Sequence, residues 1–296
     1  MKGSVLLRRA YNKFRYLFGD KSNAEIINFK KEIWQTDELS KSFIRGSDAN
    51  VLPVAEIMDR EVNEFFLSEC KPQDKVLDIG CGHGIVSEFL ATRGIQMFSV
   101  DISEKLLSEF RSRIKDKHLS IDIKQGDAYH IPYPNEAFDV VVARMFLPHF
   151  PDWPVVLKEM ARVTKPGGKL LVHFSSAENS ELGKRLGKND CVFVTSPVSK
   201  KGWDFYAETE NKELSKVSNS LGLKVTGVTP VSFFLHNRIL GYALGTGGYN
   251  SYMEKVQEFF KDEKVREFVI WFDKEIISKC SPALTHFNII NFKKLK

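Results

Sequence analysis

The sequence predicts an α/β protein built on a doubly wound, mostly parallel sheet of seven strands with helices on both faces. Short apolar runs alternate with helical patterns from residue 75 to residue 174, which is the order that produces parallel sheets. The run Phe138–Ala143 is apolar along most of its length, as expected for a strand covered on both faces. Two later runs, Leu223–Val228 and Thr285–Phe292, supply the last two strands.

Between residues 75 and 174, the predicted helices are bounded by residues that typically start or end a helix. Gly94 closes the first helix, Ser103 is expected to cap the second, and Lys165-Pro166-Gly167-Gly168 ends the third. The predicted strands of this region are Lys75–Ile79, Met97–Val100, Ser120–Lys124, Phe138–Ala143 and Lys169–Phe174.

The formal charge of +5 is concentrated at the start of the chain. Residues 1–19 contain five basic residues and no acid, and the rest of the chain holds 38 basic and 38 acidic residues. A balanced body argues against a broad nucleic-acid surface. The basic and apolar start predicts either a peripheral membrane contact through residues 1–19 or a helix packed on the protein body.

Cysteine spacing and hydropathy limit the classes of protein to which the chain could belong. Cys70, Cys81, Cys191 and Cys280 show no Cys-x-x-Cys spacing, so we expect neither a metal site nor a disulfide framework. No run reaches the roughly 18 apolar residues that a membrane span needs. The sequence therefore predicts a cytoplasmic protein with reduced thiols, as a monomer or a homodimer.

Three alternating glycines stand directly after the first strand, and an acid ends the second. Gly80, Gly82 and Gly84 allow the backbone to turn tightly and to approach a ligand. The following helix start offers free N–H groups, and Asp101 can accept bonds from ribose hydroxyls. This is the layout of a nucleoside-binding βαβ unit. A dinucleotide fingerprint would need glycine at position 85, which is Ile85.

Five segments in this order resemble the motifs of class I, Rossmann-like S-adenosylmethionine (SAM) dependent methyltransferases of the small-molecule branch. They are Val76–Gly84, Val100–Ser103, Gln125–Ala128, Phe138–Ala143 and Arg162–Leu170. The resemblance implies that SAM is the cofactor and that the enzyme transfers its methyl group. It also implies a set of cofactor-binding residues: Asp78, Gly80, Gly82, Gly84, Asp101, Ile102, Asp127, Ala128 and Arg144.

The roles within this set follow from the resemblance. Asp101 would hold the ribose, Ile102 would pack on the adenine, and Asp127 with the N–H of Ala128 would read the adenine edge. Asp78 would orient the glycine turn or face the SAM ammonium, and a charge partner for the helix N-terminus is an equal alternative.

An O- or N-nucleophile must also lose a proton during methyl transfer, often to a nearby base. We take His149 as the candidate base or acceptor contact. The other candidates, each more often structural in such places, are Tyr129, His130, Tyr133, Arg144, Asp152 and His173.

The acceptor is predicted to be a small molecule or a glycan, such as a sugar of a surface polysaccharide. The motifs of nucleic-acid, protein-arginine and metal-dependent catechol methyltransferases are missing. Alternatives are a quinone or lipid-precursor acceptor and a non-catalytic SAM-binding partner protein. Trp203, Phe205 and Tyr206 could line the acceptor pocket.

Four segments are predicted: an N-terminal helical cap (1–70), a SAM-binding core (71–228), a helical insertion or lid (229–284) and the final strand (285–296). The insertion could instead form a dimer surface, since aromatic residues are enriched at interfaces. We expect Phe259, Phe260 and Phe272 within it to be core residues.

Overall fold

The structure is a computed structural model. It describes residues 22–37, 40–41, 44, 53–175, 211–233, 257–285 and 287–295. The helices are α1 (Asn23–Ile33), α2 (Pro53–Glu69), α3 (Ile85–Ala91), α4 (Glu104–Asp116), α5 (Trp153–Val163), α6 (Asn211–Ser220) and α7 (Glu263–Glu275). The strands are β1 (Lys75–Ile79), β2 (Gln96–Asp101), β3 (Asp122–Gln125), β4 (Phe138–Ala143), β5 (Thr164–Ser175), β6 (Leu223–Val231) and β7 (Phe287–Lys294).

The seven strands form one sheet in the order β3-β2-β1-β4-β5-β7-β6. β1 pairs in parallel with β2 and β4, and β7 is antiparallel to both of its neighbours. The predicted mostly parallel, seven-stranded α/β fold is therefore confirmed. Because β1, β2 and β4 run in the same direction, their carboxyl ends meet at one edge of the sheet, where ligands bind in such folds.

Two apolar layers cover the two faces of this sheet. On one face, Leu77 and Val141 pack with residues of α5 and α6, including Leu157 and Leu214. On the other face, side chains of α2, α3 and α7 pack on the neighbouring strand positions: Ile57, Phe66, Val76, Leu90, Val140 and Val269. Alternate strand residues thus point to opposite layers, as the period of a strand requires. α2 and α7 lie in the same layer although they come from the predicted cap and insertion.

The apolar stripe of α7 faces inward one position away from where the sequence placed it. Phe260 is buried as expected, but Phe259 is 60% exposed and Phe272 is only half-buried. Val269 is buried, and the neighbouring inward positions of α7 are Ile270 and Asp273. The reason is the buried carboxyl group of Asp273, which accepts a hydrogen bond from the Phe233 N–H at 3.1 Å and so fixes the rotation of the helix.

Ser103 stands at the N-cap position of α4, but its side chain makes no capping hydrogen bond, so that expectation was wrong. The Ser103 N–H instead donates to the carboxylate of Asp101 at 2.8 Å.

Residues 1–21, 176–210 and 234–256 lie outside the described residues, and with them the basic start, Trp203, Phe205 and Tyr206. The four segment boundaries stay predictions. Within the described ranges, no helix is long and apolar enough to cross a membrane.

Candidate active site

The glycine turn joins β1 to α3 at the carboxyl edge of the sheet. Gly80, Gly82 and Gly84 have φ angles of 70°, 55° and 85°, a conformation that favours glycine. The turn is held from β2, because the N–H groups of Gly80 and Cys81 donate to the Val100 carbonyl at 2.8 and 3.1 Å. Alternating glycines are therefore required here by the backbone itself.

Two aromatic rings pack directly on the turn. A Cβ atom on Gly80 would lie 2.0 Å from the ring of Phe146, and one on Gly84 would lie 2.2 Å from the ring of Phe110. Neither position has room for a side chain. Phe146, which follows β4, is thereby placed against the start of the turn, a contact that no sequence pattern predicts.

The carboxylate of Asp101 fastens the glycine turn to the start of α4. One oxygen accepts from the Gly82 N–H at 2.8 Å, and the other accepts from the Ser103 N–H at 2.8 Å. Burial raises the pKa of Asp101, and these backbone N–H groups act against that rise. Each carboxylate oxygen can accept a second hydrogen bond, so the predicted contact with ribose hydroxyls stays open to it.

Asp78 lies at the end of β1 and is 1% exposed. Its Oδ2 accepts from the Ser87 hydroxyl at 2.6 Å, and Oδ1 has no hydrogen-bond partner within the described part of the chain. Burial raises the pKa of Asp78 to about 7. A buried oxygen without a donor is costly, so this atom is suited to receive a donor from a ligand.

Arg144 lies just beyond β4, where its guanidinium forms an ion pair with Asp59 of α2. Both side chains are largely buried, at 12% and 18% exposed. Burial raises the pKa of Asp59, against the effect of the arginine. The predicted cofactor residue Arg144 is thus bound to an acid that sequence reasoning did not single out.

The predicted adenine contacts are covered by α1 and the turn after it. Asp127 accepts from the Lys31 ammonium at 2.5 Å and from the Tyr129 N–H at 3.1 Å. Gln35 donates to the Ile102 carbonyl at 2.7 Å. Ala128 is buried beside Asp127, at 6% exposed. The structure therefore brings Ile102, Asp127 and Ala128 together, and it adds two residues from the N-terminal segment.

His149 lies in a short 3₁₀ turn, Leu147–His149, that follows β4. Its Nδ1 is 3.2 Å from the ammonium of Lys30, and its ring is nearly perpendicular to the Trp34 ring, with centroids 5.8 Å apart. The candidate base therefore lies against α1, as the predicted adenine contacts do.

The other candidates are engaged in structural contacts. The Tyr129 hydroxyl donates to Asp152 at 2.6 Å, and burial together with this hydrogen bond raises the pKa of Tyr129. The Tyr133 ring lies under the Lys124 ammonium at 3.9 Å. His173 is fully buried in β5, 5.0 Å from the Phe287 ring. His130 forms an isolated bridge with Asp127.

Lys30, Lys31, Trp34, Gln35 and Asp59 are the site residues that sequence reasoning missed. A capping box of Ser22 and Glu25 marks the start of α1 in the sequence. Nothing in the sequence indicates that this helix reaches a loop 96 residues away. The described residues contain no group of three or more His, Cys, Asp or Glu side chains that could hold a metal ion.

The chain is similar to known methyltransferases. The methyltransferase domain family matches residues 77–172. A ubiquinone biosynthesis O-methyltransferase of Stutzerimonas stutzeri is 33% identical over 161 residues, which are 54% of this chain and 68% of that protein. Methyltransferase GfsG of Streptomyces halstedii is 32% identical over 128 residues, which are 42% of this chain and 46% of that protein.

A solved structure shares the fold over most of the chain. The 1,6-didemethyltoxoflavin-N1-methyltransferase of Burkholderia thailandensis, solved with 1,6-didemethyltoxoflavin and S-adenosylhomocysteine (SAH), has a TM-score of 0.57 at 12% identity. The match covers 93% of this chain and 92% of that chain. At this identity the likeness shows the fold alone.

The sheet order and the glycine turn with its acidic strand end define a nucleoside-binding α/β protein. With the relatives above, the chain belongs to the class I SAM-dependent methyltransferases. It is therefore an enzyme that uses SAM as its cofactor, and not the non-catalytic binding partner that the sequence left open.

Proposed function

We propose that this enzyme methylates an oxygen of a hydroxylated aromatic acceptor of the quinone-precursor kind. The observation that carries the proposal is the mixture of aromatic rings and cations around the turn that follows β4. The wider conclusion, SAM-dependent methyl transfer, does not depend on this choice of acceptor.

Aromatic rings line the turn around His149. The Phe150 ring packs against Phe146 and Tyr129, with centroids 4.9 and 5.7 Å away. The Trp34 ring also contacts the His149 ring. Aromatic faces and edges of this kind favour a flat ring as the acceptor.

Cations lie beside the same rings. The Lys30 ammonium contacts His149, and the Lys31 ammonium is 5.4 Å from the centroid of the Tyr129 ring. Positive charge close to the acceptor would stabilise the phenolate form of a hydroxyl group, which is the better nucleophile. A neutral sugar hydroxyl would gain much less from this surrounding.

The relatives support the same acceptor class. Proteins named ubiquinone biosynthesis O-methyltransferase from Stutzerimonas stutzeri and Thiobacillus denitrificans are 33% and 30% identical to this chain. The glycan acceptor stays a prediction. The aromatic residues predicted to line the acceptor pocket, Trp203, Phe205 and Tyr206, lie outside the described residues.

The residues present fit SAM. The turn carries no side chain at positions 80, 82 and 84, which a close approach of a ligand to the backbone requires. The unpartnered Oδ1 of Asp78 suits the ammonium of the amino-acid part. Asp101 and Asp127 would hold the ribose and the adenine. When bound, SAM supplies a methyl group activated by its sulfonium. The chain's task is then to align the acceptor oxygen with that methyl group and to take up the hydroxyl proton.

The test is methyl transfer from SAM labelled in its methyl group. The acceptors are a catechol with an isoprenoid tail, the same catechol without a tail, and a sugar nucleotide. We expect label in the catechols and none in the sugar, with SAH formed in equal amount. An Asp101→Ala variant serves as the control for background transfer. Label in the sugar alone would contradict the proposed acceptor class.

A further inference from the structure

Helix α1 contacts both halves of the candidate active site through two consecutive lysines. The Lys31 ammonium is 2.5 Å from Oδ2 of Asp127, on the predicted adenine side. The Lys30 ammonium is 3.2 Å from Nδ1 of His149, beside the predicted acceptor. Because the two residues are neighbours in one helix, a movement of α1 changes both contacts together.

The contact with the adenine side is made by one face of α1 and the turn after it. Lys31 lies in the last turn of α1, and Gln35 lies in the turn that follows the helix. They reach Asp127 and the Ile102 carbonyl. The residues after the helix are also fixed to α4 by an ion pair of Asp37 with Lys105.

The Lys31 ammonium is bound to the Asp127 carboxylate, which would bind the adenine amine. Oδ1 of Asp127 already accepts from the Tyr129 N–H, and Oδ2 accepts from Lys31. Each oxygen can accept a second hydrogen bond, but an adenine amine that donates to Oδ2 would lie beside the Lys31 ammonium. The two positively polarised donors repel each other and therefore compete for this oxygen. The ion pair can be broken at low cost, because the two side chains are 38% and 32% exposed and such pairs are screened by water.

The contact with Lys30 determines which ring nitrogen of His149 carries the proton. An ammonium only donates hydrogen bonds, so Nδ1 must be the acceptor and the ring proton lies on Nε2. While Lys30 holds Nδ1, the ring has no lone pair for another proton. Lys30 is 7% exposed, which keeps this contact away from water.

We propose that α1 couples occupation of the adenine site to the state of His149, with Lys30 as a positioning residue. This rests on the proposed function, in which Asp127 reads the adenine. Lys31 leaves Asp127 when the adenine amine binds there, α1 shifts, and Lys30 withdraws from Nδ1. His149 can then take the acceptor's hydroxyl proton as the oxygen–methyl bond forms and the sulfur–methyl bond breaks. His149 can therefore act as the base only after the cofactor has bound.

The first arm of the test measures SAH affinity by calorimetry on the full chain. Lys31→Met removes the competing ammonium, and we expect SAH to bind about threefold to fivefold more tightly. Lys31→Arg keeps the ion pair and should bind as the wild type does. Lys115→Met, an exposed site on α4 with the same charge change, controls for net charge. Unchanged or weaker binding in Lys31→Met would overturn the proposal, whereas a wild type that binds no SAH would contradict the proposed function.

The second arm follows the ring nitrogens of His149 by ¹⁵N NMR, with His149→Gln used to assign the signals. SAH should shift these signals in the wild type and in Lys30→Arg but not in Lys30→Met. In Lys31→Met they should lie near the SAH-bound positions before any SAH is added, which gives a readout even if Lys30→Met fails to fold. The proposal would be overturned if the wild-type signals did not shift when SAH is added. It would also be overturned if the Lys31→Met signals lay at the positions of the ligand-free wild type.

Discussion

Glu61 of α2 and Asp273 of α7 hold two consecutive backbone N–H groups at the end of β6. Both oxygens of Glu61 lie within 3.0 Å of the Ser232 nitrogen, and Asp273 accepts from the Phe233 nitrogen at 3.1 Å. Ser232 has a φ angle of 57°, so the two carboxyl groups stabilise a strained turn. This turn is the start of the segment 234–256, which the sequence predicts to be part of a lid.

The first prediction concerns stability and pH. Burial raises the pKa of both Glu61 and Asp273, and the Glu61 charge raises that of Asp273 further. The folded state therefore keeps protons that the unfolded state loses above about pH 4, so these groups make the protein less stable as pH rises. Asp273→Asn keeps the shape and replaces the ionisable group by one that stays neutral in both the folded and the unfolded state. We expect it to raise the free energy of unfolding at pH 8 by roughly 1–2 kcal/mol.

Urea unfolding at pH 5 and pH 8 measures this effect. Glu267→Gln is the control on the same helix, because Glu267 is exposed and pairs only with Arg60 among the described residues. An Asp273→Asn variant that is less stable than the wild type at pH 8 would mean that the charged form is the one the fold needs.

The second prediction concerns Gly80. Gly80→Ala places a Cβ atom 2.0 Å from the Phe146 ring in a backbone conformation that disfavours side chains. We expect a loss of about 2–4 kcal/mol in unfolding free energy, from backbone strain and the clash together, and a loss of SAH binding. Gly94→Ala has a similar φ but nothing within 4 Å, so it should lose only the strain. Equal losses of unfolding free energy in the two variants would show that the Phe146 ring can move aside at no cost.

The third prediction uses the pKa of Asp78, which burial raises to about 7. If its carboxylate faces the SAM ammonium, SAH affinity should fall as pH drops from 8 to 6, because protonation removes the negative charge. By itself the raised pKa means that Asp78 makes the ligand-free fold less stable as pH rises from about 4 to 7. Asp78→Asn should bind SAH weakly at pH 8 and with little pH dependence. A wild-type affinity that is flat over this range would favour the helix-terminus interpretation instead.

The sequence predicts the central fold well because its signals are local. Apolar runs, the alternating glycines and Asp101 each depend on residues close in the chain, and the mostly parallel, doubly wound sheet follows from them. The contacts of Lys31 with Asp127 and of Arg144 with Asp59 were not predictable, since they join segments far apart and depend on how α1 and α2 pack. The rotation of α7 was misjudged for a similar reason. A buried acid at position 273 breaks the apolar period, and its partner lies 40 residues earlier.

The fourth prediction concerns Asp101, which joins Gly82 to Ser103 and would hold the ribose. Asp101→Ala should weaken SAH binding by roughly 1.5–3 kcal/mol. Thermal unfolding measured beside it separates this loss from damage to the fold. Asp116→Ala, an exposed acid on α4, should bind normally. Unchanged SAH affinity in Asp101→Ala would remove Asp101 from the site.

The most direct test of the central claim is calorimetry of SAH with the folded wild-type chain, with and without a metal chelator. The glycine turn with Asp78, Asp101 and Asp127 predicts one SAH site per chain, and its affinity should be the same in both conditions. A folded sample that binds neither SAM nor SAH would contradict the account.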